Sequence, residues 1–103
     1  MIRVTVMYPN GGNTTFDMGY YTTKHLPMVK RKCGMACKSI GADRGLNAGQ
    51  PGTQAPYVAV GYLTFDSLEE FQKSFGPHAA EILADIPNYT NAQPVIQISD
   101  VAL

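Results

Sequence analysis

The chain carries only two cysteines and two histidines among its 103 residues, and its eight basic side chains are balanced by eight acidic ones. A zinc ribbon needs two cysteine pairs, and a redox dithiol a tighter spacing than Cys33-x3-Cys37, so both thiols are expected to be free. The histidines, His25 and His78, fall in separate predicted helices with no H-x-x-x-H spacing and no carboxylate pair beside them, so no metal site is predicted. No glycine-rich turn joins a strand to a helix as a phosphate cradle requires, and no nucleotide cofactor is indicated. The zero formal charge offers no field to draw nucleic acid or an anionic membrane. No apolar run approaches the roughly 18 residues that span a bilayer. The first residues alternate instead of forming the apolar core of a leader peptide, and a cytoplasmic protein is expected. These absences leave one domain over residues 1–103 that works without a cofactor.

Ile2, Val4, Val6 and Tyr8 alternate with Arg3, Thr5 and Met7, which is the period of a strand. Asn10-Gly11-Gly12-Asn13 breaks the chain. Thr14-x-x-Asp17 then approximates a capping box for a helix from Thr15 to Lys32, bent near Pro27, where the ring removes a backbone bond. Gly34 offers a stop. A weakly patterned strand is expected from Ala36 to Asp43, followed by a long Gly- and Pro-rich loop over 45–56. Tyr57 to Phe65 is the clearest strand. Ser67-x-x-Glu70 is a capping box, after which Leu68, Phe71, Phe75, Ala79, Ile82 and Leu83 recur at helical spacing, interrupted at Gly76-Pro77. A last strand is expected from Val95 to Val101.

The order β-α-β-β-α-β predicts a ferredoxin-like α+β fold, a four-stranded antiparallel sheet with both helices on one face. On the third strand Val58, Val60 and Tyr62 make the opposite face largely apolar too, and no further helix is available to cover it. A second copy packing sheet to sheet, a symmetric homodimer, is the expected cover.

Tyr21 and His25 stand one helical turn apart, with Asp17 one turn before them. A carboxylate, a phenol and an imidazole in a row can supply a general acid or base, with His25 moving the proton and Tyr21 donating to a substrate oxygen. The same side chains can instead pack on the sheet with their polar tips satisfied. His78 lies on the apolar stripe of the second helix beside Gly76-Pro77, as a core residue or as a second wall of a pocket. Asp85 ends that helix, where the dipole disfavours a carboxylate, so it calls for a partner such as a histidine, a lysine or the amides of Tyr89–Asn91. Arg3, on a strand among apolar neighbours, needs a partner or a ligand unless solvent reaches it. Tyr62, on the far face of the third strand, completes the substrate-binding candidates His78, Asp85, Arg3 and Tyr62. Five of the eight basic residues, Lys24, Lys30, Arg31, Lys32 and Lys38, crowd one stretch, reading as a solvated helix end that can also attract an anionic substrate.

Phe16-Asp17-Met18-x-Tyr20-Tyr21-x-x-x-His25-Leu26-Pro27, Phe65-Asp66-Ser67, Ala84-Asp85-Ile86-Pro87-Asn88-Tyr89-Thr90-Asn91 and Pro94-Val95-Ile96-Gln97-Ile98-Ser99 together carry a resemblance. The chain resembles a small EthD-type protein of the dimeric α+β barrel superfamily over essentially its whole length. The resemblance implies a homodimer in which each subunit encloses a pocket between its sheet and helices. It also implies a setting in catabolic or polyketide-tailoring pathways, among muconolactone isomerases, polyketide cyclases and cofactor-free monooxygenases. The absence of tryptophan removes an aromatic that some barrel monooxygenases use.

The expected function is a cofactor-independent enzyme acting on a small, partly apolar, oxygenated metabolite such as a lactone, phenolic or polyketide-like acid. His25, assisted by Tyr21, would move a proton beside a carbonyl, giving isomerisation, dehydration or decarboxylation. The alternatives are a non-catalytic binding or accessory protein of a catabolic pathway and a cofactor-free monooxygenase.

Overall fold

A computed structural model describes residues 1–103. Strand β1 (Ile2–Pro9) leads into helix α1 (Met18–Tyr20), a π-helical turn (Tyr21–His25) and helix α2 (Leu26–Cys33), which run on as one arm. Strands β2 (Ser39–Arg44) and β3 (Tyr57–Phe65) follow. Helices α3 (Leu68–Phe75) and α4 (Ala79–Ala84), joined by a 3-10 turn at Gly76–His78, form the second arm, and strand β4 is Val95–Asp100. All strand pairs are antiparallel and the sheet order is β2-β3-β1-β4, the ferredoxin-like arrangement. No helix is long and apolar enough to cross a membrane.

Two boundaries differ from the sequence expectation for local chemical reasons. Asp17, not Thr14, caps the first arm: its side chain accepts the Tyr20 amide at 3.0 Å, while Thr14 turns back to the Gly11 amide and the Pro9 carbonyl. Strand β2 starts at Ser39 because Gly34, at φ 65°, ends the arm in the left-handed region and a 3-10 turn at Gly34–Ala36 follows. Ser67 caps α3 as its sequence pattern predicts, accepting the Glu70 amide at 3.1 Å. The loop over 45–56 lies between β2 and β3 and is exposed apart from Gly45 and Ala55.

Alternation sorts the sheet into two faces. Ile2, Val4 and Tyr8 of β1 and Ala59, Leu63 and Phe65 of β3 are buried beneath the helical arms with Val29, Cys33, Ile82 and Tyr89. Cys33 and Cys37 are free thiols within this core. The opposite face is not the largely apolar surface that the third strand alone implies. Met7, Val60 and Val95 are cross-strand neighbours and form an apolar row that ends at Asp43, but Arg3, Thr64, Ser99 and Ser39 form a polar one at the other end. The first and last strands, whose proximity the sequence leaves open, pair directly, with Arg3 opposite Ser99 and Thr5 opposite Gln97.

Candidate active site

The first arm changes pitch where the site is built. Pro27 has no amide to donate to the carbonyl of Thr23, and its ring crowds that carbonyl, so a regular α-turn is disfavoured there. The turn widens: the Leu26 amide reaches back five residues to the Tyr21 carbonyl. The Thr22 and Thr23 hydroxyls donate to the Met18 and Gly19 carbonyls at 2.9 and 2.6 Å, which occupies acceptors in the first turn of the arm. The bend expected at Pro27 is thus a π-turn just before it. It stacks the Tyr21 and His25 rings at 5.5 Å and 14°, both buried against the sheet. Room for Tyr21 comes from Gly61 of β3, where a Cβ would overlap the Tyr21 hydroxyl.

The second arm ends in a matching device. Pro87 stops α4, Asp85 becomes its C-cap, and a 3-10 turn at Ile86–Asn88 sends Tyr89 back inward. The two segments are then stitched together. The Asp17 amide donates to the Tyr89 carbonyl at 2.7 Å, the Thr15 amide to the Asn91 side chain at 2.9 Å, and Phe16 forms a β-bridge with Thr90. Tyr8, Phe16, Tyr21 and Tyr89 pack with ring centroids 5.0–5.8 Å apart. Each such pair contributes about 0.5–1.5 kcal/mol beyond its burial.

Within this cluster the polar tips form one line. His25 Nδ1 is 2.9 Å from Asp85 Oδ2, and His25 Nε2 is 3.4 Å from the Tyr89 hydroxyl. Tyr89 and Tyr8 share a hydrogen bond of 2.6 Å. Asp85 Oδ1 accepts from the Tyr20 hydroxyl at 2.7 Å and from the Asn88 amide at 2.9 Å. The misplaced helix-terminal carboxylate therefore finds the histidine partner it calls for.

Titration behaviour follows from these contacts. Burial lowers the His25 pKa from its ordinary 6.5, against the opposing pull of Asp85, so the imidazole is neutral at pH 7. Burial pushes the Asp85 carboxyl up, but donation from His25, Asn88 and Tyr20 outweighs it and holds the group below its ordinary 3.8. Burial, before any other cause, raises Tyr8, Tyr21 and Tyr89 beyond the usual phenol range. They stay protonated at neutrality and do not stand as phenolates.

A cavity of about 70 Å³ lies between the sheet and the two arms. Tyr8, Tyr21 and His25 bring the only side-chain N or O atoms in a lining otherwise made of residues such as Val4, Val29, Phe75 and Ile82. Leu83 and Ile96 both line it and are 48% and 52% exposed, which marks its edge toward solvent between α4 and β4. The space is below the ~150 Å³ that accommodates a benzene ring, so an aromatic guest requires that edge to give way.

Of the residues singled out in the sequence, Tyr21, His25 and Asp85 come together here. His78, half-buried in the 3-10 turn of the second arm, does not line the cavity and lies near Glu81. Arg3 and Tyr62 are on the other face of the sheet, beside an open groove of about 350 Å³ with Ser39, Gly41 and Thr64. There Tyr62 donates to Asp43 at 2.7 Å. Sequence reasoning missed Tyr8, Tyr20, Tyr89 and Gly61 as parts of the site. A glycine inside the clearest strand was a usable signal, since it often marks close approach of another group. Tyr8 and Tyr89, 81 residues apart, had no local pattern to join them.

The EthD domain family matches residues 14–93, a span that contains both stitched segments. None of the curated proteins matches the chain. Among solved structures, an EthD-like protein from Ralstonia eutropha JMP134 is 42% identical, covers 99% of this chain and 92% of its own, and superposes with a TM-score of 0.94. An ethyl tert-butyl ether D (EthD) family protein from Bacillus halodurans C-125 is 14% identical, with 98% of each chain covered and a TM-score of 0.64. A dimeric protein of unknown function and ferredoxin-like fold from Bacteroides fragilis is 12% identical, covering 97% of this chain and 95% of its own, with a TM-score of 0.54. The two distant structures share the fold, while the first shares sequence along nearly all of it. The chain belongs to the EthD family.

Proposed function

We propose that this protein is a cofactor-independent enzyme that moves a proton on a small, oxygenated, partly apolar metabolite of the lactone, phenolic or polyketide-like class. The outcome is isomerisation, dehydration or decarboxylation. The observation that carries this reading is the Asp85–His25 pair, 2.9 Å apart, whose imidazole lines an otherwise apolar cavity. A neutral imidazole with its Nδ1 held by a carboxylate is a competent base. The low-polarity wall around it strengthens each interaction with charge developing on a carbonyl oxygen. Tyr21, which also lines the cavity, is the donor to that oxygen in this reading.

The working form is a homodimer through the open face of the sheet. Its apolar Met7–Val60–Val95 row supports this, and the Bacteroides fragilis neighbour is described as dimeric. Val60→Asp is expected to halve the mass seen by light scattering while leaving the circular dichroism unchanged; an unchanged mass, or a wild type that already runs as a monomer, refutes the assembly.

Proton abstraction is tested by deuterium washout. The protein is incubated in D2O with a panel of lactones, β-keto acids and phenolics, and exchange at carbons next to the carbonyl is followed by NMR. Exchange that disappears in His25→Ala is the expected result. A compound that shifts the His25 ring signals but neither exchanges nor turns over would instead make the protein an accessory binder.

A further inference from the structure

We propose that Tyr8 is the catalytic residue that meets the substrate, and that Tyr89 relays its proton to His25. This rests on the proton-transfer reading above and changes which atom does the transfer. Neither nitrogen of His25 is free: Nδ1 faces Asp85, and Nε2 faces the Tyr89 hydroxyl. The direction of the hydrogen bonds follows from the fixed end. An ionised carboxylate only accepts, so Nδ1 carries the hydrogen and Nε2 is the acceptor. Tyr89 therefore donates to Nε2, and its oxygen accepts from the Tyr8 hydroxyl. Every donor in the line points toward Asp85, and at its far end the Tyr8 oxygen faces the Tyr21 hydroxyl with one lone pair and keeps the other. Tyr8 lines the cavity and Tyr89 does not.

The step balances without any added reagent. A substrate C–H bond breaks, its proton goes to the Tyr8 oxygen, and its electron pair stays on the substrate as an enolate. The original Tyr8 proton moves to Tyr89, and the Tyr89 proton moves to His25 Nε2, giving an imidazolium against Asp85. The Tyr21 hydroxyl, the other phenol on the cavity, is the donor for the enolate oxygen. Reversal of the same shifts onto a different carbon completes an isomerisation. Loss of the Nδ1 proton through Asp85 to water completes a net release, because the Asp85 side chain is itself 17% exposed. The high phenol pKa values exclude a standing phenolate at Tyr8, so its proton has to leave as the new one arrives.

Tyr8→Phe and Tyr89→Phe keep the rings and remove one link each. The first readout is the pair of 15N imidazole signals of His25 in protein without ligand. In wild type Nδ1 is expected to carry the hydrogen. In Tyr89→Phe the Nε2 signal is expected to move toward that of a nitrogen with no hydrogen bond, while Nδ1 is unchanged. An unmoved Nε2 overturns the proposal with no substrate needed.

The second readout is the deuterium washout of whichever panel compound exchanges. Both variants are expected to lose about 10²–10⁴-fold in rate, the usual share of general acid–base catalysis, with the compound's dissociation constant retained. Washout kept in Tyr8→Phe and lost in His25→Ala sinks the relay and leaves the proton-transfer reading intact. Washout kept in both removes the two together. Should Tyr8→Phe fail to fold, Tyr89→Phe breaks the same line one link further on and reads the same rate.

Discussion

The two faces of one sheet take the same β-strand pattern to opposite ends. Under the helical arms, Tyr8, Gly61 and Phe65 are buried, and the polar tips of Tyr8, Tyr89 and His25 are spent within a single hydrogen-bonded line. One residue along each strand, Met7, Tyr62 and Thr64 belong to a face that is half apolar row and half polar row. The contrast teaches that polar chemistry was not excluded from the core. It was concentrated at one point, and the rest of the helix side is apolar. On the open face polar groups are spread out and pair locally, Tyr62 with Asp43, Ser39 with Thr64 and Gln97 with Ser99. The buried face is therefore expected to respond sharply to small changes and the open one weakly.

The largest difference should come from Phe65. Phe65→Ala removes a fully buried ring and is expected to cost about 3–5 kcal/mol in urea denaturation. Its neighbour in sequence, Thr64, is the control: Thr64→Ala faces the other way and should cost about 1 kcal/mol or less. Equal losses would mean that both faces are equally packed.

A glycine pair gives the next contrast. Gly61→Ala drives a Cβ into the Tyr21 hydroxyl and should cost on the order of 1–3 kcal/mol, with the aromatic near-UV signal altered. Gly41→Ala, on the open face, meets only the Tyr62 ring at an ordinary 3.8 Å and should stay within roughly 0.5 kcal/mol.

Acid provides a third. The folded pKa of His25 lies below 6.5, so the unfolded chain binds its proton first and stability must fall as pH drops from 6.5 through the folded value. Asp85, held below 3.8, adds a loss of the same sign at lower pH. Each unit of depression corresponds to about 1.4 kcal/mol. Melting temperatures from pH 7.5 downward should show the upper slope in wild type and not in His25→Gln; a slope kept in the variant would assign it elsewhere.

The smallest effect is expected from Tyr62→Phe. It removes one exposed hydrogen bond to Asp43, within roughly 0.5 kcal/mol in a melt.

The element order was legible because each element's signal is local: alternation in β1 and β3, the Ser67 cap, the break at Gly76-Pro77. Asp85 was legible as a residue in need of a partner, because its position at a helix end already carries an electrostatic cost. Its partner, 60 residues away, was not. Tyr8 read only as the last apolar position of a strand, and Tyr89 as part of a turn; the 2.6 Å bond between them depends on how the segment after the second arm docks on β1. The open face was misjudged because it was read from Val58, Val60 and Tyr62 of one strand, whereas its polar row takes Arg3, Ser39, Thr64 and Ser99 from all four strands.

The stitching of the two segments also sets a timetable. His25 and Tyr89 are separated by 64 positions. At ribosomal rates of about 5–20 residues per second, roughly 3–13 s pass between the synthesis of the imidazole and that of its phenol partner. During that interval the nascent chain holds a histidine with neither Asp85 nor Tyr89 beside it, and no connected path for a proton. The line from Asp85 through His25 to Tyr89 closes only once Tyr89 has been made, so a fragment that stops short of it holds the imidazole without its phenol partner.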